Sequence, residues 1–160
     1  MSALKQRAVL VAGVVLALAL VAAVVAGIGA HRATATADAR ADALAAATKR
    51  VPELLSYDAA TLDDDLARAR AQTTGSFADD YGTILDEVVK PNAAQRTIST
   101  TATVSAAGVV SGDPDRVVVL LFLTQTTTTG TKDSSVAGSR VEVTMAPAGD
   151  DWKIVGLKPL

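Results

Sequence analysis

The side chains that could carry out chemistry are few in this chain of 160 residues. It has no cysteine and a single histidine, His31. Without cysteine there is no thiol nucleophile, no disulfide, no Cys-based zinc site and no iron–sulfur cluster. The acidic run Asp63–Asp65 lacks the alternating ligands and the closing glutamate of a calcium loop, and it is typical of a charged helix N-terminus. We therefore expect no metal site and no cofactor.

One set of candidate catalytic residues remains, consisting of Tyr57, Asp58 and Tyr81. In a cone-shaped α+β domain, a tyrosine and an aspartic acid of raised pKa can handle an enol. The sequence has neither the glycine pattern of a nucleophile elbow nor a phosphate-binding glycine loop. Core packing is the simpler interpretation for Tyr81 and for Phe77. We expect a protein that is not an enzyme.

The overall composition argues against nucleic acid as a partner. Aromatic residues make up 3% of the chain, and 15 basic residues against 17 acidic ones give a formal net charge of −2. Proteins that bind nucleic acids need a basic face and aromatic side chains on which bases stack. We expect no nucleic-acid binding.

The N-terminal segment predicts a membrane anchor. Residues 8–30 carry no charge, and as a helix they would reach about 34 Å, enough for a hydrocarbon core of about 30 Å. The apolar part of a cleaved signal peptide is shorter, about 7–15 residues. A short head followed by a long domain favours a cytoplasmic tail (1–7), a membrane span (8–30) and a C-terminal part outside the cell membrane.

Small residues recur along this span at every fourth position, at Ala19, Ala23 and Gly27. Rows of this kind let two membrane helices approach closely. They are candidate residues for helix packing and self-association in the membrane, although an alanine-rich span also produces them by chance.

Beyond the span, helical periodicity comes first. We predict a juxtamembrane helix over residues 31–51, followed by a domain over 52–160. A second helix begins at the capping residue Thr61, ends near Ala71 and buries an apolar stripe. A third helix runs from Ser76 until Pro91 stops it. Its apolar residues at helical spacing form one stripe that we expect to be buried: Phe77, Tyr81, Ile84, Leu85 and Val88.

After Pro91 the apolar period changes from 3.6 to 2, and short connections predict four strands in an antiparallel meander. Three helices followed by such a sheet give a two-layer α+β domain. The run from Val117 to Leu123 is apolar at every position, so both faces of this strand should be covered. We expect helices on one face and a partner on part of the other, with Val118, Leu121 and Leu123 as candidate interface residues.

The sequence resembles the Mce-associated membrane proteins of actinobacteria. The resemblance is carried by the anchor and by the following stretches: 54–58, 61–69, 74–77, 80–81, 109–111, 116–125 and 152–153. It implies a single-pass accessory subunit of Mce lipid-import machinery in the cell envelope. It also implies an outer domain similar to the curved cone of nuclear transport factor 2 and to scaffold subunits of type IV secretion systems. No catalytic residue is carried over.

The sequence therefore predicts a membrane-anchored scaffold that supports or stabilises an Mce complex. One alternative is a carrier that holds a lipid or another small ligand inside the cone. The other alternative is a scaffold subunit of a type IV-like secretion system.

Overall fold

The computed structural model describes residues 2–130 and 133–160, with side chains at residues 20–24 and from residue 26 onward. The elements follow in the order α1 (Ser2–Leu55), α2 (Leu62–Ala71), α3 (Ser76–Ile84), a π-helical segment (Leu85–Val89), α4 (Lys90–Arg96), β1 (Ile98–Asp113), β2 (Arg116–Thr129), β3 (Asp133–Ala148) and β4 (Asp151–Pro159). Chain contacts separate two compact units between Ala37 and Asp38. The second unit, Asp38–Leu160, is the domain described below.

The four strands form one antiparallel meander in the order β1-β2-β3-β4. Alternate residues of β2 and β3 point to the same face and pair across the strands, as Val119 does with Val143 and Leu121 with Val141. These side chains are buried against the helices. The predicted α+β fold, with helices on a four-stranded antiparallel sheet, is confirmed.

Helix α1 contributes the helical side of this core. Ala43, Ala47 and Val51 follow one another at intervals of four residues and are fully buried, with Leu54 one turn further. The helix also continues through Pro52 to Leu55. The predicted boundary between a juxtamembrane helix (31–51) and a domain (52–160) is therefore not a division in the structure, because residues on both sides of it share one core.

Helix α2 buries Leu62, Leu66 and Ala69, as its periodicity predicts. Its N-terminus is organised differently from the expected capping box. The Thr61 hydroxyl donates not to the helix backbone but to the carboxylate of Asp65, at 2.9 Å. That carboxylate also accepts the Asp58 amide at 2.8 Å, so the side chain that ties the preceding turn to the helix is Asp65.

The third predicted helix does not stop at Pro91. The chain passes from α3 through the π-helical segment into α4, and Pro91 lies in the first turn of α4. The helix passes through Pro91 directly after the wider π-helical turn, which the Lys90 amide closes on the Leu85 carbonyl. Leu85 and Ala93 are buried with Leu62 and Leu66 in a second, smaller core.

Strand β1 is an edge strand that bends at two bulges, between Val104 and Ala106 and between Val109 and Ser111. Bulges add local twist and bend a strand. The turn after β1 is held by Arg40, whose guanidinium donates to the Gly112 carbonyl at 3.1 and 2.9 Å. A side chain at Gly112 would meet Val117 at 2.8 Å, so this position requires glycine.

We expect Leu121→Ala to destabilise the domain far more than Leu120→Ala, although the two residues are adjacent. Leu121 is fully buried between sheet and helix, and a cavity at such a site costs about 2–5 kcal/mol. Leu120 lies on the other face and is half-buried, so its truncation should cost about 1 kcal/mol. Urea unfolding of the full-length variants in mild detergent, followed by circular dichroism, measures both; equal losses would contradict this assignment of faces.

Candidate interaction surface

The sheet face that points away from the helices carries an apolar stripe. We call this face the outer face, and its central residues Val118, Leu120 and Phe122 the β2 stripe. Val118 and Leu120 are half-buried by their strand neighbours, while Phe122 is 43% exposed. Among the described residues of the domain, all helices that pack on the sheet lie on the opposite face. A large exposed aromatic side chain in a stripe of this kind is typical of a binding surface.

The structure separates the three predicted interface residues. Val118 belongs to the outer face. Leu121 and Leu123 point into the core and are almost fully buried, so placing them at a partner interface was wrong. The cause is the two-residue period of a strand, which sends neighbouring side chains to opposite faces.

Phe122 is the residue that sequence reasoning missed. A run that is apolar at every position does not reveal which face is exposed. The polar residues on either side, Arg116 and Thr124, do carry this information. Both are in phase with Phe122, so they place it on the solvent side.

The flanks of the β2 stripe differ in charge. On the β3 side, Phe122 pairs with Arg140 and Leu120 with Glu142, and Lys158 of β4 pairs with Glu142. On the β1 side the facing residues are Ala106 and Gly108, which are small and uncharged.

A shallow depression of about 410 Å³ lies beside Phe122, and Gly138, Arg140 and Leu160 line it. The outer face therefore offers an apolar strip beside a mainly basic edge. This arrangement is suited to an apolar, acidic segment of a protein.

The candidate catalytic residues are each engaged by the fold, and the Tyr57 backbone pairs with that of Thr100. The Tyr81 hydroxyl donates to the Leu54 carbonyl at 2.7 Å, and burial raises the pKa of Tyr81 to about 12, with Tyr57 contributing to the shift. Asp58 is exposed, and its carboxylate accepts the Ala60 amide at 2.8 Å. Phe77 stacks on Tyr81 with ring centroids 5.6 Å apart, and both pack against the core, as predicted.

The acidic run at the start of α2 is occupied by protein partners. Asp65 pairs with Arg68, and Asp63 lies 2.7 Å from the Lys90 ammonium. Burial alone would raise the pKa of Asp65, but the Asp58 amide, the Thr61 hydroxyl and the Arg68 charge together hold it below its ordinary value. Within the described part of the chain, no three acidic or histidine side chains come together as metal ligands.

The apolar helix is present where the sequence places the anchor. From Leu20 to Leu55, α1 contains a window of mean hydropathy 1.3, long and apolar enough to cross a membrane. Of the predicted membrane packing row, Ala23 and Gly27 are exposed. The side chain of Ala19 lies outside the described residues, so the row stays a prediction.

Comparison with known proteins places most of the chain in one family. The sequence profile described as "Uncharacterized protein Rv1363c/MT1408-like" matches residues 4–158. "Outer membrane protein Rv1973" of Mycobacterium tuberculosis (strain ATCC 25618 / H37Rv) is 44% identical over 115 residues, which are 72% of each protein. "Uncharacterized protein Rv1362c" of the same strain is 42% identical over 120 residues, covering 73% of this chain and 54% of that protein.

Solved structures show the same fold at low identity. An IcmL-like type IV secretion system protein from Legionella pneumophila matches 76% of this chain and 91% of its own, with a TM-score of 0.66 and 10% identity. CagV, a VirB8 homolog of the type IV secretion system of Helicobacter pylori, matches 74% of this chain and 96% of its own, with a TM-score of 0.59 and 17% identity. The likeness is one of fold.

We expect Asp65→Asn to destabilise the domain at neutral pH and to change its acid sensitivity. The folded pKa of Asp65 lies below the ordinary value of 3.8, so its stabilisation is present above that pH and is lost as the pH falls through the lower folded pKa. Removing charged hydrogen bonds should cost about 1–3 kcal/mol at pH 7. Urea unfolding at pH 7 and pH 3 tests this, with Asp64→Asn, an exposed neighbour, as the control. A loss that is as large at pH 3 as at pH 7 would contradict it.

Proposed function

Because the chain belongs to the Rv1363c/MT1408-like family and carries an apolar N-terminal helix, we propose that it is a single-pass membrane subunit without catalytic activity. In this proposal the N-terminus is cytoplasmic and the domain lies outside the cell membrane. The domain holds other envelope proteins through the outer face of its sheet. The observation that carries the proposal is the β2 stripe, an apolar strip with an exposed phenylalanine on the face opposite the helices.

The arrangement of the polar groups supports a scaffold rather than an enzyme. Tyr81 is tied to the end of α1, and Asp65 is tied to the turn before α2. Arg50 spans from α1 to Gln72 at 2.5 Å and to Asp151 of β4. Each of these side chains links two parts of the fold through a hydrogen bond or an ion pair.

We further propose that the assembly served is an Mce lipid-import complex. The support is the sequence resemblance to Mce-associated proteins, which runs from the anchor through residues 54–81 to the closing Trp152 and Lys153. In this role the protein would assist or stabilise the complex, and lipid would be the cargo of the complex.

A type IV-like secretion scaffold is the second candidate. Its support is the fold, which this chain has in common with the IcmL-like protein and CagV. The carrier alternative has less support, because Leu54, Leu85 and Met145 are fully buried and fill space between the helices and the sheet that a ligand would need.

Co-purification tests the proposal most directly. Full-length protein is isolated from native membranes in mild detergent, and the proteins that accompany it are identified. Recovery of Mce subunits is the expected result, whereas recovery of secretion subunits would favour the second candidate. Recovery of the protein alone, with saturable binding of a lipid, would overturn the scaffold role.

We expect Phe122→Glu to reduce the recovery of partners by about tenfold without unfolding the domain, because it places a charge in an apolar contact. Val136→Glu is the matched control, since Val136 is also exposed and apolar but lies outside the stripe. It is on β3, where it pairs with Thr126, four residues after Phe122 on β2. Unfolding midpoints of both variants should stay close to that of the parent protein. If Phe122→Glu unfolds the domain or leaves partner recovery unchanged, the outer face is not the binding surface.

A further inference from the structure

A second apolar feature of the domain faces solvent on the helical side. Asp80, Ile84, Val88 and Asn92 follow one another at intervals of four residues, and all are exposed. We call these four residues the α3 ridge. Ile84 is 49% and Val88 54% exposed, so the ridge presents two aliphatic side chains to solvent. The other large apolar residues of this helical run pack against the two cores: Phe77, Tyr81, Leu85 and Val89.

The π-helical segment keeps Val88 in the same exposed row as Ile84. In an α-helix, residues four apart drift by about 40° per step, because one turn takes about 3.6 residues. The wider turn, closed by the Lys90 amide on the Leu85 carbonyl, removes this drift. Leu85, Val89 and Ala93 therefore all reach the second core, and Ile84 and Val88 remain in the neighbouring row. Segments of this type are frequent at functional sites.

The exposed charges beside the two apolar features are opposite in sign, while Glu142 lies half-buried beside Leu120, opposite Lys158. Asp80 and Glu87 are exposed at the α3 ridge, whereas Arg140 and Lys158 are exposed at the β2 stripe. The ion pairs among the described residues engage Asp63, Asp65, Asp86 and Asp151. None of these ion pairs engages the exposed charges beside the ridge and the stripe, which are Asp80, Glu87, Arg140 and Lys158. Each surface thus offers an apolar strip with charges that the other surface would complement.

One copy of the chain cannot join these surfaces to each other. Phe77 and Tyr81 of α3 pack on the core side of the sheet, so the α3 ridge belongs to the helical layer and the β2 stripe to the opposite face. We infer that the β2 stripe of one copy binds the α3 ridge of a second copy. Such a contact joins two different surfaces, so it is heterologous and repeats from copy to copy.

This inference rests on the proposed scaffold function, because it makes a second copy of the chain one of the envelope proteins that the outer face holds. Two aliphatic residues on the ridge and three apolar residues on the stripe make a small interface, of the kind that is weak between free molecules. Anchoring in a common membrane raises the effective concentration of the partners. We therefore expect association in the membrane and dissociation after dilution in detergent.

The absence of cysteine from the chain makes a direct test possible. Two full-length variants, Val88→Cys and Phe122→Cys, are produced in the same membranes and oxidised gently. The expected product is a disulfide between the two different variants. Each variant alone should give only background, because the ridge does not meet a ridge and the stripe does not meet a stripe.

Val136→Cys and Ala67→Cys serve as controls for proximity without contact. Both positions are exposed, the first on the sheet and the second on α2. Val88→Cys with Val136→Cys, and Ala67→Cys with Phe122→Cys, should stay at background. Cross-linking at the same level in the control pairs would show crowding by the membrane helices and would overturn the inference.

Charge reversal supplies an independent measurement. Arg140→Glu in the Phe122→Cys chain should lower the cross-linked fraction by about tenfold, because it sets like charges against each other. Asp80→Arg with Glu87→Arg in the Val88→Cys chain should restore it. A fraction that does not respond to either change would contradict charge pairing between the two surfaces.

The possible failures are distinguishable. If Phe122→Cys cross-links to itself, or if no disulfide forms between the two variants, the inference is wrong. The scaffold role then survives where Phe122→Glu still removes co-purifying partners. If the mixed disulfide forms but no envelope subunit co-purifies, self-association stands and the accessory role fails.

Discussion

The packing of α1 against the sheet is the contact on which the rest of the domain depends. Ala43 and Ala47 are fully buried there, in one core with residues of β2 and β3. A larger residue there would force the helix away, since overpacked cores shift their backbone. From this position Arg40 reaches the turn after β1, Arg50 reaches α2 and β4, and the end of the helix accepts Tyr81.

A core built on one face of a sheet leaves the other face to be stabilised by strand neighbours alone. In β2 this divides consecutive residues between two roles. Leu121 holds the fold, whereas Phe122 gains nothing comparable from it, being 43% exposed. An exposed aromatic residue in such a position is consistent with the proposed scaffold role, in which stability and binding use opposite faces of the sheet. That separation lets the binding face vary without weakening the core.

The sequence predicted the elements better than their ends. Apolar periodicity located all four strands and the buried stripe of α2, because burial of one face leaves a regular spacing of apolar residues in each segment. It failed where an individual hydrogen bond or a change of helical turn decided the outcome. Thr61 looked like a helix cap, but its hydroxyl donates to the Asp65 carboxylate, and the same oxygen accepts the Asp58 amide. Pro91 looked like a stop, but the helix continues through it directly after the wider turn. Helical spacing placed Ile84 and Val88 inside, but both are exposed, and the wider turn at Leu85–Val89 keeps Val88 in the row of Ile84.

That wider turn has an evolutionary consequence. A π-helical segment holds one residue more than the α-helical turn it replaces, so one codon separates the two arrangements. Deleting a residue between Leu85 and Val89 would return the helix to a regular twist and rotate every later side chain by about 100°. Ala93 would leave its buried site, and the exposed row would be redistributed around the helix. The surface at Val88 is thus a feature that a single insertion can create and a single deletion can abolish, without any substitution in the residues that form it.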